Sequence, residues 1–186
     1  MYDAALFYGP KATKLSAILN RLGTKSQSYV LATIHRAENT DTPERLKSIF
    51  KAFAKFKYPI VLPLHPRTRS GLVRDDLDVP ENVQLIDPVG YLDMVMLEQS
   101  ALLIATDSGG VQKEAFFYKV PCVTLREETE WTELLEAGWN RLATPDSSEK
   151  ILRAMESAIN TQGNPLNVYG DGTAAGQIAK QLLSNQ

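Results

Sequence analysis

The feature that most constrains this chain is an alternation, sustained over most of its length, of short unbroken apolar runs with longer amphipathic stretches. The runs Tyr29–Ile34, Pro59–Leu64, Val83–Ile86, Ala101–Ala105 and Pro121–Leu125 are too short for buried helices. Most also lack the polar alternation of a half-exposed strand, so they read as strands covered on both faces. Helical stretches fall between them. One covers Lys14–Leu22, with Leu15, Ile18, Leu19 and Leu22 on one face and Gly23 as its stop. Another opens with Thr42 as N-cap and Pro43 at the first helical position, and runs to about Phe56. Two more cover Tyr91–Gln99 and Val111–Tyr118. Asn140–Leu142 is a further strand candidate, and helices over Ser148–Asn160 and Ala174–Leu183 close the pattern on either side of a linker-like Thr161–Pro165. Such alternation demands right-handed crossovers, hence a parallel sheet with helices on both faces. The expected class is α/β: a three-layer, doubly wound, Rossmann-like domain occupying residues 1–186 as one unit.

Composition narrows the partners. A chain of 186 residues with 44% hydrophobic and 23% charged residues suits one soluble domain with a full core. Its net charge is -2 and its Lys and Arg residues are scattered, which argues against nucleic acid or an anionic membrane surface as partner. Cys122 is the only cysteine, so neither an internal disulfide nor a cysteine-based zinc cage is expected. No metal or organic cofactor is expected. No apolar run approaches the roughly 18–20 residues that span a bilayer. The opening Met1–Leu6 lacks the basic-then-apolar pattern of a secretory leader, and a cytoplasmic location is the expectation.

Ligands of open α/β sheets bind at the carboxyl ends of the strands. Three polar clusters fall there: His35-Arg36-Ala37-Glu38-Asn39, His65-Pro66-Arg67 and Asp107-Ser108-Gly109-Gly110. Both histidines of the chain lie in them. The third cluster is the most mechanical. Two glycines let a ligand approach the backbone, and the helix behind them directs free N–H groups and a positive dipole end at the loop, which suits a phosphate or diphosphate. Ser108 adds a hydroxyl, and Glu114, a turn further on, can accept hydrogen bonds from ribose hydroxyls. The lysine of a kinase-type P-loop and the three spaced glycines of a dinucleotide fingerprint are both absent. Taken singly, each cluster also has a structural reading: a tight turn, a capping histidine, a solvated carboxylate, a surface charge run at Arg126–Glu130. Their coincidence at one sheet edge favours a site.

At this point the chain resembles the non-hydrolysing UDP-N-acetylglucosamine 2-epimerases. His35-Arg36-Ala37-Glu38-Asn39 is similar to that family's His-Arg-x-Glu-Asn block, and Asp107–Glu114 to its Asp-Ser-Gly-Gly-x-Gln-x-Glu block. Leu64–Arg67, Asp87-Pro88 with Tyr91, Arg126 with Thr129-Glu130, and Asn167–Gly172 follow in the family's order. The resemblance implies the C-terminal half of a glycosyltransferase-B-like fold, with the substrate cleft facing an N-terminal domain from which Met1–Ala5 looks like the exit segment. It implies a UDP-sugar as partner, a homodimer for the full-length enzyme, and a role in surface polysaccharide precursor synthesis. By its analogy Ser108, Gly109 and Gly110 hold the diphosphate, Glu114 the ribose, and the main chain at Val89 and Met94 the uracil; His35, Arg36, Glu38 and His65 line the cleft. The family inverts C2 by eliminating UDP to a 2-acetamidoglucal and adding it back. His35 is the implied catalytic residue, a donor near the departing oxygen, and the carboxylates that move the C2 proton are implied to lie in the N-terminal domain.

One departure matters for specificity. Trp131-Thr132 stands where the family commonly has Arg-Pro, and Glu130-Trp131 with Gly138-Trp139-Asn140 looks more like the branch acting on modified UDP-sugars such as UDP-2,3-diacetamido-glucuronate. An indole lacks a guanidinium's bidentate donors, and packing is an equal reading for Trp131. A hydrolysing 2-epimerase, the nucleotide-sugar domain of a glycosyltransferase, and a non-catalytic UDP-sugar-binding module are the alternative functions.

Overall fold

The computed structural model describes residues 1–184. Six parallel strands form one sheet: β1 (Val30–Thr33), β2 (Ile60–Pro63), β3 (Val83–Ile86), β4 (Leu103–Thr106), β5 (Cys122–Thr124) and β6 (Asn140–Leu142). Their spatial order is β3-β2-β1-β4-β5-β6. The chain therefore starts at the centre, winds outward through β2 and β3, and returns to the other side of β1 with β4. That reversal leaves a crevice beyond the carboxyl ends of β1 and β4, where no crossover covers the sheet edge. The two strands pair in register from Val30 with Leu103 to Thr33 with Thr106.

The strand period of two sends neighbouring side chains into two separate cores. Val30, Ala32, Leu103, Ala105 and Val123 face one, packed under α4 (Pro43–Lys55), α5 (Pro66–Arg74) and α9 (Ser148–Ala158). Leu31, Ile104 and Cys122 face the other, under α2 (Ile18–Leu22), α6 (Tyr91–Ser100) and α7 (Gly109–Phe117). The remaining helices are α1 (Tyr2–Leu15), α3 (Ala37–Thr40), α8 (Thr132–Glu136) and α10 (Ala174–Ser184). The three-layer α/β expectation holds, with Asn140–Leu142 as the sixth strand.

Four local readings change. The helix expected over Lys14–Leu22 is two pieces: Ser16 and Ala17 break it, Ser16 Oγ turning to cap the Ile18 N–H and to donate to Asp93. Leu15 ends the first piece exposed, while Ile18 of the second is buried. Thr42 occupies the N-cap of α4 without a side-chain capping bond, so Pro43 and the Thr42 carbonyl open that helix. α1 as far as Thr13 and the whole of α5 lie outside the helical stretches expected from the sequence, for reasons taken up below. The linker-like stretch is fastened rather than loose, the Asn164 N–H donating to Ala137 and its carbonyl accepting from the Trp139 indole.

Candidate functional site

The loops after β1, β2 and β4 meet over the crevice. Thr33, Ile34, His35, Pro63, His65, Pro88, Val89, Met94, Ser108 and Val111 line a hollow of about 250 Å³ there. Five of the expected site residues are thus brought together: His35, His65, Val89, Met94 and Ser108. A hollow of similar size, about 260 Å³, lies at the far end of α7 and is walled chiefly by Phe116, Phe117, Trp139 and Tyr169. Lys119 and Asn167 also line it, but it lies away from the strand ends, and we assign it no ligand.

The organising group was not among the expected site residues. The carboxylate of Asp107, fully buried, accepts the backbone N–H of His35 at 3.0 Å, the N–H of Arg36 at 3.0 Å and the side-chain amide of Asn39 at 3.1 Å. The loop after β4 thereby clamps the loop after β1. His35 Nδ1 lies 3.2 Å from the same carboxylate, which sets the ring with Nδ1 toward Asp107 and Nε2 away from it. His65 is fixed differently: it caps α5, its Nδ1 accepting the Arg67 N–H at 3.1 Å. In the neutral ring the proton then sits on Nε2. The two imidazoles stand 5.5 Å apart, centroid to centroid.

Ser108 is the N-cap of α7, its hydroxyl accepting the Val111 N–H, while its own N–H donates to Thr106 Oγ1 at 2.9 Å. Neither Gly109 nor Gly110 has positive φ, so the glycines are not required by backbone conformation. A Cβ on Gly110 would press on the end of the Met1 side chain at 3.3 Å and meet Ser108 Oγ at 3.8 Å, while one on Gly109 would only touch the Trp131 and Glu130 side chains. Gln112, fully buried, ties the loop to its neighbours by accepting from Thr129 and from Asn140. Trp131 donates its indole N–H to the Gly109 carbonyl at 2.8 Å and carries Lys113 over its ring at 3.9 Å. In this chain Trp131 braces the loop after β4 from outside, which supports the packing reading.

Five expected residues stand outside the lining of the hollow: Gly109 and Gly110 follow Ser108 at the start of α7, and Arg36, Glu38 and Glu114 lie apart. Arg36 and Glu38 lie on the hollow's outer side, where Arg36 is 3.7 Å from Glu130 and 3.9 Å from Glu38. Arg126 holds Glu130 through two hydrogen bonds, and that pairing keeps the Glu130 carboxyl down at about 2. Glu114 lies a turn beyond the lining, its carboxyl turned toward α6, and burial raises it above the ordinary glutamate range. Ser108 and Glu114 share a helix, with Gly110 between them, but not one wall.

The comparisons with known proteins bear on this arrangement. The family model described as UDP-N-acetylglucosamine 2-epimerase matches residues 1–183. The chain belongs to that family. A relative from Pseudomonas aeruginosa, UDP-2,3-diacetamido-2,3-dideoxy-D-glucuronate 2-epimerase, is 46% identical over 98% of this chain and 50% of its own length. The UDP-N-acetylglucosamine 2-epimerase of Methanocaldococcus jannaschii is 43% identical over 83% of this chain and 44% of its own. The solved structure of a Methanocaldococcus jannaschii UDP-GlcNAc 2-epimerase in complex with UDP-GlcNAc and UDP superposes with TM-score 0.87 at 39% identity, covering 98% of this chain and 52% of that one. The chain spans about half the length of the epimerase-family relatives it matches.

Proposed function

We propose that this chain is the UDP-binding, C-terminal half of a UDP-sugar 2-epimerase with a glycosyltransferase-B-like architecture. The observation that carries the reading is the junction at the crevice: the family's His-Arg-x-Glu-Asn and Asp-Ser-Gly-Gly loops are locked to each other through Asp107 over a hollow at the switch point. The N–H groups at the start of α7 and the Ser108 hydroxyl form the cradle for a diphosphate. Apolar Val89 and Met94 offer the wall for a uracil ring. Glu114, a turn further along α7, takes the ribose.

In this reading the reaction is non-hydrolysing inversion at C2, by loss and return of UDP. His35 Nε2 donates toward the leaving oxygen, and Asp107 behind it stabilises the charged ring; aligned donors of this kind act where charge develops. The groups that move the C2 proton belong to the other half of the enzyme. Its docking surface is supported by apolar side chains left open on α1 and α10, among them Leu6, Phe7, Ile178 and Leu182. No described helix is long and apolar enough to cross a membrane, and we place the enzyme in the cytoplasm, as a homodimer when full-length. The Glu130-Trp131 and Gly138-Trp139-Asn140 segments together support a modified sugar such as a diacetamido-uronate, in service of surface polysaccharide synthesis.

Calorimetric titration of the chain with UDP tests the binding half of the proposal: saturable binding is expected, weakened by Ser108→Ala, and silence at millimolar nucleotide overturns it. Turnover by the two-domain parent, with the product identified by NMR, tests the rest. A retained nucleotide sugar with inverted C2 is expected, whereas release of free sugar and UDP would assign the hydrolysing reaction.

A further inference from the structure

Outside the hollow, the feature left unexplained is a pair of acidic side chains between α6 and α7. Glu98, toward the end of α6, is only 1% exposed, and its Oε2 has no hydrogen-bond partner among the described residues. The half-buried Glu114 of α7 meets it. The hydroxyl of Tyr118, four residues after Glu114, is buried close by and is likewise without a partner. Among the described residues the other ionisable groups facing the pair are Tyr29, Tyr91 and the amino group of Met1, with no lysine or arginine.

We propose that Glu98 is a positioning residue for nucleotide binding: its buried carboxyl donates a hydrogen bond to Glu114 and holds that carboxylate in place for the ribose hydroxyls. The inference rests on the nucleotide reading given above. Two touching carboxyl groups screened from water do not both ionise, so one proton stays with the pair. It stays on Glu98, the deeper partner. Burial first, and the negative charge of Glu114 second, push Glu98 well above the ordinary carboxylate range, while the hydrogen bond from Glu98 works the other way on Glu114. A carboxylic acid at this point also gives the orphaned Glu98 oxygen a reason to be there, since its alternative is an unpaired charge in an apolar helix interface. Glu114 keeps enough acceptor capacity for two hydroxyls after accepting from Glu98, because a carboxylate offers about four lone-pair sites. Fixing its orientation beforehand spares the ligand that ordering cost.

The test compares UDP with 2′,3′-dideoxy-UDP by titration calorimetry on the unmodified protein, Glu98→Met and Glu98→Gln. The unmodified protein should prefer UDP. Glu98→Met should weaken UDP by roughly tenfold, the scale of one charge-assisted hydrogen bond, and leave the dideoxy analogue unchanged. Glu98→Gln, whose amide can still donate, should restore the preference. The inference is overturned if Glu98→Met keeps the preference, if it weakens both ligands alike, or if Glu98→Gln fails to rescue. If Glu98→Met does not fold, infrared spectroscopy decides: a neutral carboxyl C=O band at neutral pH, lost in Glu98→Gln, is expected, and its absence overturns the inference. Failure of the unmodified protein to bind UDP, or to tell it from the analogue, would instead remove the nucleotide reading or the ribose role of Glu114 on which the inference stands.

Discussion

Asp107 shows how a single residue can matter more than its place in a motif suggests. From the sequence it reads as the opening residue of a phosphate loop. In the fold it is fully buried and satisfies two backbone N–H groups and the Asn39 amide on the neighbouring loop. Removing it leaves those donors buried without a partner, a cost of about 1–3 kcal/mol for each donor fully stranded. Asp107→Ala should therefore lower stability by about 2–4 kcal/mol in urea denaturation and also reduce UDP affinity, because His35 loses its anchor. A variant that keeps full stability would show that the clamp contributes nothing. The residue types at the crevice were legible from the sequence because strand ends announce themselves by a switch from apolar to polar. The partner of each was not, since Asp107 and His35 are 72 positions apart and meet only because β1 and β4 are neighbours.

At the scale of elements, the strands were easiest to read and the two missed helices have physical reasons. α1 carries Pro10 in its interior, which removes an intrahelical donor and hides an otherwise helical stretch. α5 carries Gly71, a poor helix former, in its interior. Here it serves packing, for a Cβ would come within 2.9 Å of the Leu46 side chain and 3.0 Å of the Thr40 carbonyl. The α6–α7 interface carries a pH dependence of its own. Glu98 is raised above its ordinary value of 4.5 by burial and by Glu114, so the native state holds a proton that the unfolded chain gives up. Its favourable contribution is complete below that ordinary value and is lost as pH rises through the native one, with a slope of at most about 1.4 kcal/mol per pH unit. Glu98→Gln should thus gain stability relative to the unmodified protein as pH climbs from acidic to alkaline, measured as a widening gap in urea midpoints. A constant gap would show that Glu98 is ionised in the folded protein.

On the scale of the whole molecule, the sheet has its two cores covered while one flank stays apolar. α10 has no buried residue, and its Ile178, Leu182 and Leu183 stand exposed, as do Leu6 and Phe7 of α1. An apolar flank of this kind marks a surface that another body covers. On the proposed reading, the isolated chain should bind a hydrophobic dye such as ANS strongly and the proposed two-domain enzyme weakly at equal molar concentration. Equal dye binding would mean that this flank is not where the halves meet.

The crevice is made by the carboxyl ends of β1 and β4, the two strands at the middle of the sheet, each flanked on both sides. Whatever sits there bridges the two halves of the sheet. A nucleotide in that seat would protect the entire domain from proteolysis rather than one loop of it, by mass action on the folded state. The lifetime of the protein in a cell would then follow the supply of its own substrate.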